Sequence, residues 1–123
     1  MISLNRAAPQ LGVALVLVDI KSGDDLETAF TQIKDSEVGA VLGIAGALTF
    51  TVGAEIADRA LAAHLPFCSA FKETVNAGGL VSLGPDISAM ARQAAGQIDK
   101  LIKGASPSDI PVEQPTHTIF ISI

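Results

Sequence analysis

Apolar residues in this chain form short runs separated by amphipathic segments. The longest run, residues 11–20, is a nearly continuous series of Val, Leu and Ile, which is typical of a strand buried on both faces. Residues 39–45 form a second run, residues 67–70 a third, and residues 80–83 a short fourth. The pattern predicts strands of a parallel sheet, with residues 11–20 at its centre.

The intervening segments have the features of helices. Residues 4–10 are interpreted as the end of a helix that Pro9 or Gly12 stops. Residues 22–25 match a capping box before a helix that ends near Asp35, and the next helix begins near Thr49 or Thr51. The apolar stripes of these two helices and of a long later one are Leu26, Ala29, Phe30 and Ile33; Val52, Ile56, Ala60 and Ala63; and Ile87, Met90, Ala91, Ala94, Ile98 and Leu101.

The long later helix has recognisable ends, and one more strand follows it. Asp86 is predicted to cap the helix, and Gly104 stands where a left-handed residue is expected. The last strand begins near His117, where apolar residues alternate. This order of elements predicts a three-layer αβα sandwich of flavodoxin-like type with a mostly parallel sheet. With 123 residues, the chain is expected to form a single domain over residues 1–123.

Composition narrows the function classes. The net charge of -5 argues against nucleic acid as a partner, and no apolar run has the length of a membrane span or of a signal peptide. Residues 80–84 lack the leading glycine of a nucleophile elbow, and His64 and His117 do not have metal-ligand spacing. We therefore predict no enzyme activity, no catalytic residue, no metal and no cofactor.

A binding site is predicted where strands end. Ligands of parallel sheets bind beyond the carboxyl ends of the strands, which here are residues 45–50 and 69–72. Phe71 is followed directly by a cation, Lys72, and an anion, Glu73. The candidate ligand-binding residues are Ala45, Gly46, Leu48, Thr49, Phe50, Ser69, Ala70, Phe71, Lys72 and Gly78.

Each candidate also has a purely structural interpretation. The Phe71 ring either stacks on an aromatic ligand or packs under the following loop. Lys72 either pairs with a ligand carboxylate or bonds to Glu73 or to nothing. The threonines at 49 and 51 either mark a helix start whose free amides suit an anion or simply cap that helix. The turn with Gly78 either exposes backbone groups to a ligand or only needs a positive φ.

A family resemblance adds to this picture. Residues 65–73 and 76–86, the helix end at 99–104 and the Pro-punctuated segment 107–115 resemble the C-terminal lobe of ABC-transporter substrate-binding proteins with the type I periplasmic-binding fold. The resemblance implies a small organic ligand, aromatic or carboxylate-bearing, delivered to an ABC permease by the intact receptor. It also implies a periplasmic or extracytoplasmic location, although we expect no signal peptide in this chain.

The chain departs from the family pattern at two places. The family tends to have Arg where this chain has Lys72, and a Pro with an acidic residue where it has Gly46 and Ala47. The resemblance further implies that an N-terminal lobe is absent, so that the chain alone binds ligand weakly or not at all. It implies that residues 80–103 cross to that lobe. This predicts a large apolar surface, either on helix 87–102 or beside the missing strand, that self-association covers.

The sequence is also compatible with two other functions. The first is a stand-alone flavodoxin-like regulatory or sensory domain with a complete five-stranded sheet. The second is a small α/β hydrolase-like enzyme, which requires Ser69 or Ser82 within hydrogen-bond reach of a histidine.

Overall fold

The structure is a computed structural model that describes residues 2–115 and 118–122, with the side chains of residues 3–115. The chain divides into two compact units, Met1–Gly39 and Ala40–Ile123. The predicted His117 start of the last strand lies outside the described residues.

Within the described residues, the first unit contains two α-helices and, between them, a segment without regular secondary structure. Helix α1, Ile2–Gln10, ends before Gly12, whose φ of 68° only glycine adopts readily. A 3-10 turn, Gly23–Asp25, leads into α2, Leu26–Asp35. All four residues of the predicted α2 stripe are buried, which confirms the helix, its end and its apolar face.

The prediction of a central strand at residues 11–20 is wrong. Residues 13–20 have no regular secondary structure, and Leu11, Val13 and Leu17 are 76%, 53% and 52% exposed. An apolar run shows that a segment suits a sheet interior, but a strand forms only when a neighbouring backbone accepts and donates its hydrogen bonds. Within the described residues, this segment pairs with no other strand.

The second unit contains a four-stranded sheet with the order β1-β2-β3-β4. The strands are β1, Val41–Leu42; β2, Phe67–Ser69; β3, Val81–Pro85; and β4, Thr118–Ser122. The β1–β2 and β2–β3 pairs are parallel, with Leu42 opposite Cys68 and Ser69 opposite Ser82, whereas β4 is antiparallel to β3. The predicted α/β sandwich with a mostly parallel sheet is confirmed.

Four helices connect and flank these strands. They are α3, Ala47–Thr51; α4, Gly53–Ala62; α5, Glu73–Asn76; and α6, Ile87–Ile102. The helix expected to begin at Thr49 or Thr51 begins at Ala47 instead and breaks at Val52, whose φ and ψ are -100° and 7°. Helix α5 was not predicted, because a single turn carries too few residues to show a period.

Helices α4 and α5 cover one face of the sheet. Phe67 and Ser69 of β2 and Ser82 of β3 are buried on that face, together with Ile56, Ala57 and Ala60 of α4 and Val75 of α5. Gly53 allows α4 and α5 to approach closely, because a Cβ there would lie 2.9 Å from the Thr74 methyl carbon. On the opposite face, Leu42 and Leu83 are exposed. The sheet is therefore anchored on the side of α4 and α5.

Helix α6 begins and ends as predicted. The Asp86 carboxylate accepts hydrogen bonds from the backbone N–H groups of Ser88 and Ala89, and Gly104 has a φ of 98°. No residue of α6 is buried, and Ile98 and Ile102 are 56% and 80% exposed. The apolar surface expected on this helix is present.

Candidate functional site

Two aromatic rings meet at the carboxyl end of the parallel strands. Phe50 in α3 follows β1 along the chain, and Phe71 follows β2. Their ring centroids are 5.0 Å apart and the ring planes make an angle of 75°, which is an edge-to-face contact. The two predicted site segments are therefore in contact with each other.

A cluster of hydroxyl groups fixes the backbone of Phe71. The Phe71 N–H donates to Ser69 Oγ at 3.1 Å, and the Thr74 hydroxyl donates to the Phe71 carbonyl oxygen at 2.7 Å. Ser69 Oγ and Thr74 Oγ1 are 2.6 Å apart, and both residues are buried. Because its N–H and C=O are both bonded, the Phe71 peptide presents its ring from a well-defined position.

An ion pair lies beside the aromatic contact. Lys72 Nζ is 3.4 Å from Asp86 Oδ1, fourteen residues further along the chain. The backbone N–H of Ala89 is the main cause that lowers the pKa of Asp86; Lys72 and the N–H of Ser88 act in the same direction, and partial burial opposes them. In the structure, Lys72 therefore pairs with Asp86 and not with its neighbour Glu73.

The threonines of α3 connect the end of β1 to the helix. Thr49 Oγ1 donates to the carbonyl oxygens of Ile44 and Gly46, at 2.6 Å and 3.0 Å, and Thr51 Oγ1 donates to that of Ala47 at 3.0 Å. Gly46 occupies the N-cap position, so neither threonine is the predicted cap. Both hydroxyls are used to hold the chain's own backbone.

The remaining candidates fall into two places. Ala45, Gly46 and Leu48 lie in or beside the turn into α3, and Ala70 follows β2. Gly78 follows α5 and lies against Leu61 of α4. Since the Leu80 N–H donates to the Phe67 carbonyl oxygen at 2.8 Å, the chain has by then returned to the beginning of β2. The structure does not bring Gly78 to the carboxyl ends of the strands.

Sequence reasoning missed two residues that shape this region. Thr74 holds the Phe71 backbone, and Gly84 lets β3 lie against the carbonyl group of Ala70. A hydroxyl residue three positions after a strand-end aromatic was an available signal for Thr74. No sequence signal indicated that Gly84 lies close to the Ala70 carbonyl group, because that distance depends on the spacing between β2 and β3.

The hydrolase-like alternative requires Ser69 or Ser82 within hydrogen-bond reach of a histidine, and among the described residues the buried Ser82 hydroxyl has no hydrogen-bond partner. The Ser69 hydroxyl bonds to Thr74 and Phe71, while His64 is exposed just after α4 and His117 lies outside the described residues. In the part of the chain that the structure describes, no group of three or more His, Cys, Asp or Glu side chains is placed to hold a metal ion. In that same part, no helix combines the length and apolar character needed to cross a membrane.

Comparison with known proteins identifies a family and a similar fold. A family model described as "ABC transporter substrate binding protein" matches residues 1–122. The crystal structure of a conserved domain protein from Vibrio cholerae O1 biovar eltor superposes with a TM-score of 0.80 at 20% sequence identity. The match covers 98% of this chain and 40% of that chain, so this chain spans less than half the length of that protein. The likeness shows the fold. Among curated protein sequences there is no match.

Proposed function

Because the chain belongs to the ABC transporter substrate-binding protein family, we propose that it binds a small organic solute for an ABC-type import system. A solute-binding role in ABC transport follows from the family, whose members are typically not enzymes and are in general extracytoplasmic. The proposal adds the ligand class, aromatic or carboxylate-bearing, and the place where it binds. It also adds the partner, an ABC permease.

The observation that carries the proposal is the contact of Phe50 with Phe71 beside Lys72. The two rings supply an aromatic wall at the carboxyl ends of β1 and β2, where ligands of parallel sheets bind. The Lys72 side chain is one-third exposed and supplies a positive charge next to it. An aromatic surface with an adjacent cation suits a ligand that combines a ring with a carboxylate.

We propose that the chain corresponds to the C-terminal lobe of a two-lobe receptor that closes on its ligand like a hinge. The match to 40% of a longer solved chain supports the proposal that this chain corresponds to one lobe of a larger protein. In such a receptor, the closed state is stabilised by ligand contacts from both lobes. One lobe supplies only part of these contacts, so we expect weak binding by this chain alone.

The rival interpretation, a stand-alone flavodoxin-like domain, expects five strands in one sheet. The described residues form a four-stranded sheet. We therefore retain the receptor lobe as the function that the observations support best.

An NMR titration of the isotope-labelled chain with benzoate tests the proposal. We expect dissociation constants in the millimolar range or weaker, with the largest amide shifts at residues 46–50 and 70–72. Phe71→Ala should reduce the affinity because it removes half of the aromatic wall. Ile98→Ala, which changes an exposed apolar residue of α6, is the matched control and should bind as the wild type does.

Two results would count against this site. One is a set of benzoate-induced shifts confined to the groove between α6 and the following segment, which Gln97, Leu101, Pro107 and Ile110 line. The other is tight, micromolar binding by the isolated chain, since a single lobe would then be sufficient.

A further inference from the structure

Asp86 connects the candidate site to the start of α6. We propose that Asp86 determines the charge preference of the site: it holds the Lys72 ammonium group neutralised beside Phe71 and so weakens selection of anionic over uncharged ligands. The inference rests on the proposed function, because it concerns the ligand of the same site. It assigns a role to a residue that the sequence identified only as a helix cap.

Three donors share one oxygen of Asp86. Oδ1 accepts from the N–H groups of Ser88 at 2.9 Å and Ala89 at 3.1 Å, and Lys72 Nζ lies 3.4 Å away. The two amide distances are ordinary, whereas hydrogen bonds between an ammonium and a carboxylate are usually about 2.7–2.9 Å long. The carboxylate is thus held firmly by the helix, and the lysine is the partner that is free to leave.

The surroundings of Lys72 and Asp86 allow the lysine to leave Asp86 and pair with a ligand carboxylate instead. The side chains of Lys72 and Asp86 are 33% and 17% exposed, so water weakens their attraction. When Lys72 turns toward a ligand carboxylate, Asp86 keeps two amide donors and the positive end of the α6 dipole. The binding free energy that a ligand carboxylate gains is therefore only the difference between its own pairing with Lys72 and the Lys72–Asp86 pairing that it replaces. An uncharged ligand requires no exchange and is not penalised.

The chain provides a well-matched pair of substitutions. Asp86→Asn removes the charge but keeps a good N-cap, since Asn and Asp are similarly effective at that position. Glu73→Gln removes the carboxylate directly after Lys72, which is exposed and lies on α5. Each variant removes one negative charge near the same lysine, but only the first changes the contact described here.

Acylation of lysines tests the pairing without any ligand. The folded chain is treated with limiting N-hydroxysuccinimidyl acetate, and labelling of Lys72 is measured by mass spectrometry relative to exposed Lys34. We expect Asp86→Asn to raise relative labelling of Lys72 at least twofold, because the ammonium group is released to solvent, and Glu73→Gln to leave it unchanged. No rise in Asp86→Asn, or an equal rise in both variants, overturns the pairing regardless of ligand binding.

Titrations with benzoate and benzamide test the charge preference. The probes share a ring and differ in charge, so the ratio of their dissociation constants isolates the carboxylate. We expect the preference for benzoate to increase roughly twofold to fivefold in Asp86→Asn, the range of a partly exposed ion pair, and to be unchanged in Glu73→Gln. An unchanged ratio in Asp86→Asn, with labelling of Lys72 raised, overturns the role in specificity.

The two measurements separate this inference from the proposed function. If neither the wild type nor Asp86→Asn binds either probe, the proposed aromatic carboxylate site is wrong, and the charge preference assigned to Asp86 is overturned with it. The labelling experiment still decides whether Asp86 holds Lys72.

Discussion

At the scale of single residues, Gly84 shows how closely β3 approaches the candidate site. A Cβ at this position would lie 2.9 Å from the carbonyl carbon of Ala70 and closer still to its oxygen. The obstacle is backbone, which cannot move aside as a flexible side chain does. Ala70 directly precedes Phe71, so the missing side chain at Gly84 leaves room for the segment that carries the aromatic wall.

Gly84→Ala is therefore expected to destabilise the chain by about 2 kcal/mol, in the range typical of overpacking. Urea denaturation measures this change. Gly96→Ala is the control, because a Cβ at Gly96 meets nothing within 4 Å; it should stabilise α6 by roughly 0.5–1 kcal/mol through helix propensity. Equal stabilities of Gly84→Ala and the wild type would contradict the close approach.

Residue-scale prediction from sequence worked where the cause is local. Asp86 was recognised as a cap because it precedes an apolar-periodic segment, and its carboxylate does bond to amides two and three residues later. The partner of Lys72 was not recognised, because it lies fourteen residues away. Contacts of that kind depend on how strands and helices are placed, which a local pattern does not contain.

At the scale of elements, the start of α2 contains a charge-dependent turn. Asp25 Oδ2 accepts from the N–H groups of Lys21 at 2.7 Å and Ser22 at 3.0 Å. The hydrogen bond from the Lys21 N–H is the largest cause that lowers the pKa of Asp25, followed by that from Ser22, against partial desolvation. The turn is therefore held more strongly when Asp25 is ionised.

This shift has a definite sign in the pH dependence of stability. Because the folded-state pKa of Asp25 is below its unfolded value, ionised Asp25 stabilises the fold above the unfolded pKa, and this contribution is lost as pH falls through the lowered folded-state value. We expect wild type to be more stable than Asp25→Asn at about pH 7, with the difference shrinking toward about pH 2. Urea denaturation across that range measures it.

Asp24→Asn is the matched control for this prediction, since Asp24 is the exposed neighbour in the same turn. It removes the same charge without removing the two hydrogen bonds described for Asp25. A stability difference between wild type and Asp25→Asn that stays constant with pH would show that the carboxylate charge is not what holds the turn.

The helices were predicted more accurately than the strands, for a physical reason. The stripe of α2 and both ends of α6 depend on residues within one or two turns of each other. The second apolar run, residues 39–45, contains only a two-residue strand, Val41–Leu42. The length of a strand is set by how far its neighbour runs alongside, and β1 pairs with only two residues of β2.

At the scale of the whole molecule, α6 presents an apolar face that its own chain leaves exposed. Ile87, Ile98 and Leu101 on the predicted stripe are all at least 40% exposed. Apolar surface of this kind commonly marks an association surface. We propose that the chain covers this face by self-association when it is alone in solution.

Ile98→Glu is expected to shift the chain toward monomer, because it introduces a charge in the middle of the apolar face. Gly96→Glu adds the same charge on the other side of α6, in open space, and should leave association unchanged. Sedimentation equilibrium at high micromolar concentration distinguishes the variants. A wild-type chain that is strictly monomeric under these conditions would exclude self-association.

The sequence alone determined the features that depend on near neighbours. These are the capping box at residues 22–25, the cap at Asp86, the left-handed glycine at 104, the apolar face of α2 and the alternation that predicts an α/β fold. Each arises from steric and hydrogen-bonding preferences within a few residues, and these preferences are present before the chain folds.

Only the tertiary structure decided which distant residues meet. It left residues 11–20 without a strand partner among the described residues, placed Phe50 against Phe71, and paired Lys72 with Asp86. Backbone pairing and sheet register set these contacts, and both depend on which segments lie side by side. An apolar run indicates that a segment favours a buried position. The segment forms a strand only when a neighbouring backbone completes its hydrogen bonds.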